Sequence, residues 1–232
     1  MKTLGIIGGT GPESTIEYYK RLIAGYKARV PGGGAPSIVI NSVDNKSMIA
    51  WFTAGELNNV TEFLVREIGR LEGAGADFGL IAANTPHLVF EDVQKRVRIP
   101  LLSIVEATAD AAAAQGLRRL ALFGTRFTMQ AQMFPEIFAR RGLTIVVPNE
   151  SEQEYVHDKY MGELFFGKIL EETHVGLLEI AARLKERDAI DGLILGGTEL
   201  SLIIRETSAA GLPVLDTTQI HVDAALDRML RD

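Results

Sequence analysis

Ile81-Ala82-Ala83-Asn84-Thr85-Pro86-His87 and Ile194-Leu195-Gly196-Gly197-Thr198-Glu199 decide the fold. Each is an apolar run that stops on small residues and then delivers polar groups, the form a buried parallel strand takes where it empties into a loop that lines a pocket. Around them, short apolar runs alternate with segments of helical period. Leu4-Gly5-Ile6-Ile7 precedes a helix over 18–26 in which Tyr19, Leu22, Ile23 and Tyr26 are expected to share one face. Strands are also expected at 37–41, 78–82, 100–104, 120–123, 143–147, 192–195 and 213–215, and Val60, Leu64, Ile68 and Leu71 fall at helical spacing ahead of Gly73 and Gly75. Repeated β-then-α order predicts an α/β protein with mostly parallel sheets and helices on both faces.

The two opening stretches are also each other's counterpart. Thr85 and Thr198 stand 113 residues apart, as do Ile99-Pro100-Leu101-Leu102-Ser103 and Leu212-Pro213-Val214-Leu215-Asp216, and Gly9-Thr10 matches Gly124-Thr125 at an offset of 115. An internal duplication is the simplest explanation. It predicts two similar three-layer α/β lobes related by a pseudo-twofold axis, the first comprising 1–100 with 210–232 and the second 101–209, with a site in the cleft between them.

The chain has 232 residues, 47% of them hydrophobic, which suffices for lobes with proper cores. A net charge of -6 without a Lys/Arg block argues against a nucleic-acid or acidic-membrane partner, and the absence of a long uncharged apolar run or a signal-type leader makes a cytoplasmic location the expectation. There is no cysteine, so disulfides, thiolate metal sites and thiol nucleophiles are excluded. His157, His174 and His221 are scattered without ligand spacing, so no metal is expected.

Several loops could carry chemistry. Gly8-Gly9-Thr10-Gly11-Pro12-Glu13-Ser14 sits at a helix start, with Ser14 or Thr10 as a possible cap; it lacks the last glycine of a dinucleotide fingerprint, so no nucleotide cofactor is expected. The strand at 37–41 leads to a polar loop holding Asp44 and Lys46. Asn84, Thr85 and Thr198 offer neutral hydrogen-bond groups suited to a small carboxylate, or equally to local turns. His87 could be an acid or base or could bond a backbone carbonyl. Glu199 could be a base, or a carboxylate complementing a helix N-terminus, the second being favoured. Thr125, Arg126 and Thr128 form a further loop able to hold a carboxylate, or Arg126 is simply solvated.

Taken together with Asn41-Ser42-Val43-Asp44 and Asp216-Thr217-Thr218, these motifs resemble the aspartate/glutamate racemase family over nearly the whole chain. The resemblance implies a two-lobed α/β fold, commonly dimeric, and cofactor-independent racemisation in which one cysteine removes the α-proton and a second, on the opposite face, returns one. Those cysteines fall on Ala83 and Gly197, neither of which can transfer a proton through its side chain. Asn84, Thr85, Thr125 and Thr128 match positions that hold a substrate carboxylate, Ser14 or Thr15 lies in the first substrate loop, and a lysine the family often carries is replaced by Phe165. The resemblance therefore implies a small carboxylate or amino acid as ligand and no cofactor. It leaves three outcomes: a racemase by descent, either inactivated or served by other groups such as His87, Glu199, Asp44 or Lys46; a decarboxylase or lyase in the same pocket; or a non-catalytic small-acid binding protein.

Overall fold

The computed structural model describes residues 1–231. The chain divides into two compact units, Met1–Ile104 together with the stretch from His221 onward, and Val105–Ile220. Each is built on its own sheet.

The first unit holds β1 (Leu4–Gly8), β2 (Ile38–Ser42), β3 (Phe78–Ile81) and β4 (Leu101–Leu102), in the order β2-β1-β3-β4 and parallel throughout. The second holds β5 (Arg119–Phe123), β6 (Thr144–Val146), β7 (Gly192–Leu195), β8 (Ser208–Ala209) and β9 (Leu212–Asp216), in the order β6-β5-β7-β9-β8. All its pairs are parallel except β8 with β9. Setting β8 aside, the two orders are one pattern, with β1, β2, β3 and β4 standing where β5, β6, β7 and β9 stand. This shared connectivity is what a duplicated sequence requires.

The boundaries differ from those expected. Residues 210–220 belong to the second unit, because β9 pairs with β7 through Leu193↔Val214, Ile194↔Leu215 and Leu195↔Asp216. Residues 101–104 belong to the first, because β4 pairs with β3. Only the C-terminal part of the last helix, Thr217–Leu230, returns to the first unit, where Val222, Ala225, Leu226 and Met229 join Leu4, Ile6, Tyr18, Leu22, Phe78 and Leu80 in the core.

The first helix, Pro12–Arg29, buries Ser14, Tyr18, Leu22 and Tyr26, whereas Tyr19 is 48% exposed and Ile23 half-buried. The expected face is thus turned by one residue, since Tyr18 gains a buried partner for its hydroxyl in His221. Neither Ser14 nor Thr10 caps this helix. Gly11 is the N-cap without a side-chain bond and Pro12 opens the first turn, while the hydroxyl of Thr15 accepts from Gly9 N–H at 2.8 Å. The helix Leu57–Gly73 buries Val60, Leu64, Ile68 and Leu71 as expected, and Gly75 follows it at φ 90°.

Gly9 is the turn that the first loop depends on. Its φ is 79°, and a Cβ there would lie 2.3 Å from Val43 O. Gly9→Ala should lower stability by about 1–2 kcal/mol from the left-handed backbone alone, with the overlap adding to it. Gly69→Ala is the control: Gly69 lies within a helix with nothing within 4 Å of the new Cβ, so the change should be neutral or stabilising by up to about 1 kcal/mol. Urea denaturation of both variants checks the contrast.

Candidate functional site

Parallel strands end on one edge of their sheet, so each unit collects its strand-end loops there. In the first unit the loops after β1, β2 and β3 are bound to one another. Val43 N–H donates to Gly8 O and Ala82 N–H to Ile7 O, each at 2.9 Å. The Asn45 amide donates to Thr10 O at 2.9 Å, and Thr10 Oγ1 reaches Ala82 O at 3.4 Å. Asn84 is buried, Ala83 and Thr85 are half-buried, and a 3-10 turn begins at Thr85. Asp44 and Lys46 are exposed, and the Asp44 carboxylate accepts from the Lys46 backbone N–H at 3.0 Å.

His87 lies beneath this edge, buried and engaged at both ring nitrogens. A carbonyl can only accept, so Nδ1 is the protonated nitrogen, donating to Ala83 O at 2.9 Å, and Nε2 accepts from Ile104 N–H at 3.2 Å. The ring stacks on Phe90 at 5.0 Å and meets the His221 ring edge-on at 6.3 Å. His221 is held the same way: Nε2 donates to Leu102 O at 3.0 Å, and Nδ1 accepts from the Tyr18 hydroxyl at 2.9 Å. Burial pushes His87 down to about 4, against its backbone hydrogen bonds. Burial first, then the neighbouring His87, pushes His221 down to about 3. Both rings are neutral in the fold.

In the second unit the corresponding edge is denser. Gly196 N–H donates to Phe123 O at 2.7 Å, and a Cβ on Gly124 would lie 2.9 Å from Gly196 O, so two glycines let the β5 and β7 ends close on each other. Thr125 caps the short helix Arg126–Gln130 by accepting from Thr128 N–H, and the two threonine hydroxyls stand 3.1 Å apart, buried. Arg126 is exposed, and its backbone N–H donates to Nδ1 of His157 at 3.1 Å. The Thr217 hydroxyl donates to Leu195 O at 2.7 Å, and Asp216 accepts from the N–H groups of Thr218 and Gln219, opening the last helix.

The residue that sequence reading missed is Tyr160. It is carried by the helix Glu150–Gly162, which starts with a complete capping box between Asn149 and Glu152. Glu152 also binds Arg183 at 2.9 Å and Arg187 at 3.5 Å, and with Val156 and Tyr160 it forms the buried i, i+4, i+8 face. The Tyr160 ring rests against Gly197: a Cβ on Gly197 would lie 2.3 Å from Cε2 and 3.1 Å from the hydroxyl oxygen. That hydroxyl donates to Glu199 Oε2, which also accepts from Thr198 Oγ1 at 2.9 Å. Tyr160, Thr198 and Glu199 are all buried. Burial, then the charge of Glu199, holds the Tyr160 phenol well above the ordinary tyrosine range. Glu199 is the N-cap residue of the short helix Leu200–Ile203, without a side-chain cap bond, so its carboxylate stands at a helix N-terminus while it accepts from Tyr160 and Thr198.

Among the described residues, no three His, Asp or Glu side chains gather as a metal site would, and no helix is long and apolar enough to cross a membrane. Two copies of one parallel α/β lobe, each with small and polar residues at the ends of its strands, define the class of protein. The chain belongs to the Asp/Glu/hydantoin racemase family, whose model matches residues 7–225. Among solved structures it is similar to an aspartate racemase homologue from Pyrococcus horikoshii OT3, at 35% identity and TM-score 0.86, and to a protein of Yersinia pestis solved as a candidate Asp/Glu racemase, at 32% and 0.90. Both matches cover 100% of each chain. The broad specificity amino-acid racemase RacX of Bacillus subtilis (strain 168) is 24% identical over 158 residues, 65% of this chain and 66% of that protein, just short of two thirds of its length.

The two neutral histidines make an acid-lability prediction. Each has its folded value below the ordinary 6.5, so the unfolded chain binds more protons between those values; stability is full above about pH 6.5 and declines as pH falls toward 4. Thermal melts should show this decline, of order 3 kcal/mol per histidine. Replacing His221 with Gln should flatten part of it while lowering stability at pH 7, because the Tyr18 and Leu102 partners are disturbed.

Proposed function

We propose that the protein is a cofactor-independent amino-acid racemase acting on a small carboxylate or amino acid, bound by strand-end loops. The observation that carries this reading is the repeated strand-end chemistry of Asn84 and Thr85 after β3 and Thr198 after β7, in a chain whose family and neighbours are amino-acid racemases. Amide and hydroxyl groups of this kind orient a carboxylate without neutralising it, which leaves the α-carbon exposed to proton transfer. Thr10, Ser14, Asp44, Lys46, Thr125 and Thr128 complete the ligand shell in this proposal. His87 has no proton-transfer part in it, since both ring nitrogens already have partners. A homodimer in the cytoplasm is the form proposed, and sedimentation of the purified protein checks the first part of that.

One observation favours a second reading. Ala83 and Gly197 carry no group that can move a proton, so a decarboxylase or lyase of the same superfamily, which needs protonation on one face only, also suits the site. Incubation in D₂O with the L- and D-forms of aspartate, glutamate and alanine separates the readings. Deuterium at Cα with interconversion of enantiomers is the expected result; loss of a carboxyl group supports the second reading; binding with neither outcome supports a small-acid binding protein. Under the proposal, Asn84→Ala and Thr85→Ala each weaken amino-acid binding about tenfold, measured by calorimetry.

A further inference from the structure

We propose that Tyr160 and Glu199 form the proton-handling pair of the second lobe, with the phenol of Tyr160 standing in the space that a side chain on residue 197 would fill. The inference rests on the racemase reading and names a chemical group for it. Four observations on one small volume carry it. Gly197 is buried and has no side chain, yet the space beyond its Cα is full: the Tyr160 ring comes to 2.3 Å of a Cβ built there, with its hydroxyl oxygen at 3.1 Å. The ring is held by a helix with a closed capping box and a double ion pair on Glu152, so its position is fixed. Its O–H is aimed at a carboxylate rather than at water, through the bond to Glu199 Oε2. That oxygen also accepts from Thr198, a residue of the same strand-end loop.

A phenol beside a buried carboxylate can relay a proton in either direction. In the forward step the Cα–H bond of the substrate breaks and its electron pair passes into the substrate carboxylate as an enediolate. The proton joins the Tyr160 oxygen as the phenol's own proton moves to Glu199. In the return step Tyr160 delivers a proton to Cα and recovers one from Glu199. Tyrosine and Glu199 end as they began, and no oxidant or further reactant is needed. Burial and the charge of Glu199 keep the phenol protonated at rest, so proton delivery is the step it is poised for.

The test compares α-proton exchange of L- and D-aspartate, glutamate and alanine in D₂O by the full-length protein and by its Tyr160→Phe and Glu199→Gln variants. Tyr160→Phe keeps the ring against Gly197 and removes only the hydroxyl. Exchange should fall at least about 10²-fold in Tyr160→Phe, with amino-acid binding close to that of the parent and a melting temperature lowered by loss of the bond to buried Glu199 but still above the assay temperature. Glu199→Gln should also lose exchange and shift the pH profile of what remains. Exchange at the parent rate in Tyr160→Phe overturns this inference and leaves the racemase reading standing. Absence of exchange in the parent protein, with every amino acid tried, overturns both.

Discussion

One backbone hydrogen bond, made once in each lobe, fixes where everything else must lie. Ala82 N–H donates to Ile7 O in the first unit and Gly196 N–H donates to Phe123 O in the second, each extending the parallel ladder one residue past the end of its strand. The residue that follows is Ala83 in one case and Gly197 in the other. Because the ladder pins the residue before them, both positions are held at a sheet edge with little backbone freedom, and the polar residues after them are delivered in fixed order.

What the two positions lack has been met differently. Ala83 keeps a methyl group, half-buried, with its carbonyl accepting from His87. At Gly197 the missing side chain is replaced by a group from a distant helix, and Tyr160 brings with it a hydroxyl, a carboxylate partner and a threonine that shares that partner. A buried phenol and a buried carboxylate are costly to desolvate separately and are stabilised by binding each other. Glycine at 197 is therefore a requirement of Tyr160, and a larger residue there would contest its place.

Much of the fold was legible because parallel, doubly covered strands read as short apolar runs, and Gly192–Leu195 was located to the residue. The strand-end residues were legible too, since Asn84, Thr85, Thr198 and Glu199 directly follow their strands in the chain. Partners joined across long sequence separations were not. Tyr18 and His221 are 203 residues apart, and it is their buried bond that turns the first helix by one residue from the face its period suggested. Tyr160 reads as an ordinary core residue four places after Val156, and nothing in the chain ties it to Gly197. The lobe boundary near residue 210 was recoverable from the repeat itself: if 99–103 pairs with the strand before it in the first sheet, its counterpart 212–216 does so in the second, as β9 does with β7.

The central claim is that Tyr160 occupies the side-chain space of residue 197, and a double-mutant cycle on stability measures it directly. Gly197 lies outside the left-handed region of φ, so alanine there strains no backbone, and the nearest atoms it meets are those of the Tyr160 side chain. Urea denaturation of Gly197→Ala, Tyr160→Leu and the double variant should show alanine at 197 destabilising the parent by at least about 1 kcal/mol more than it destabilises the Tyr160→Leu background. Effects that add to within about 0.5 kcal/mol would contradict it.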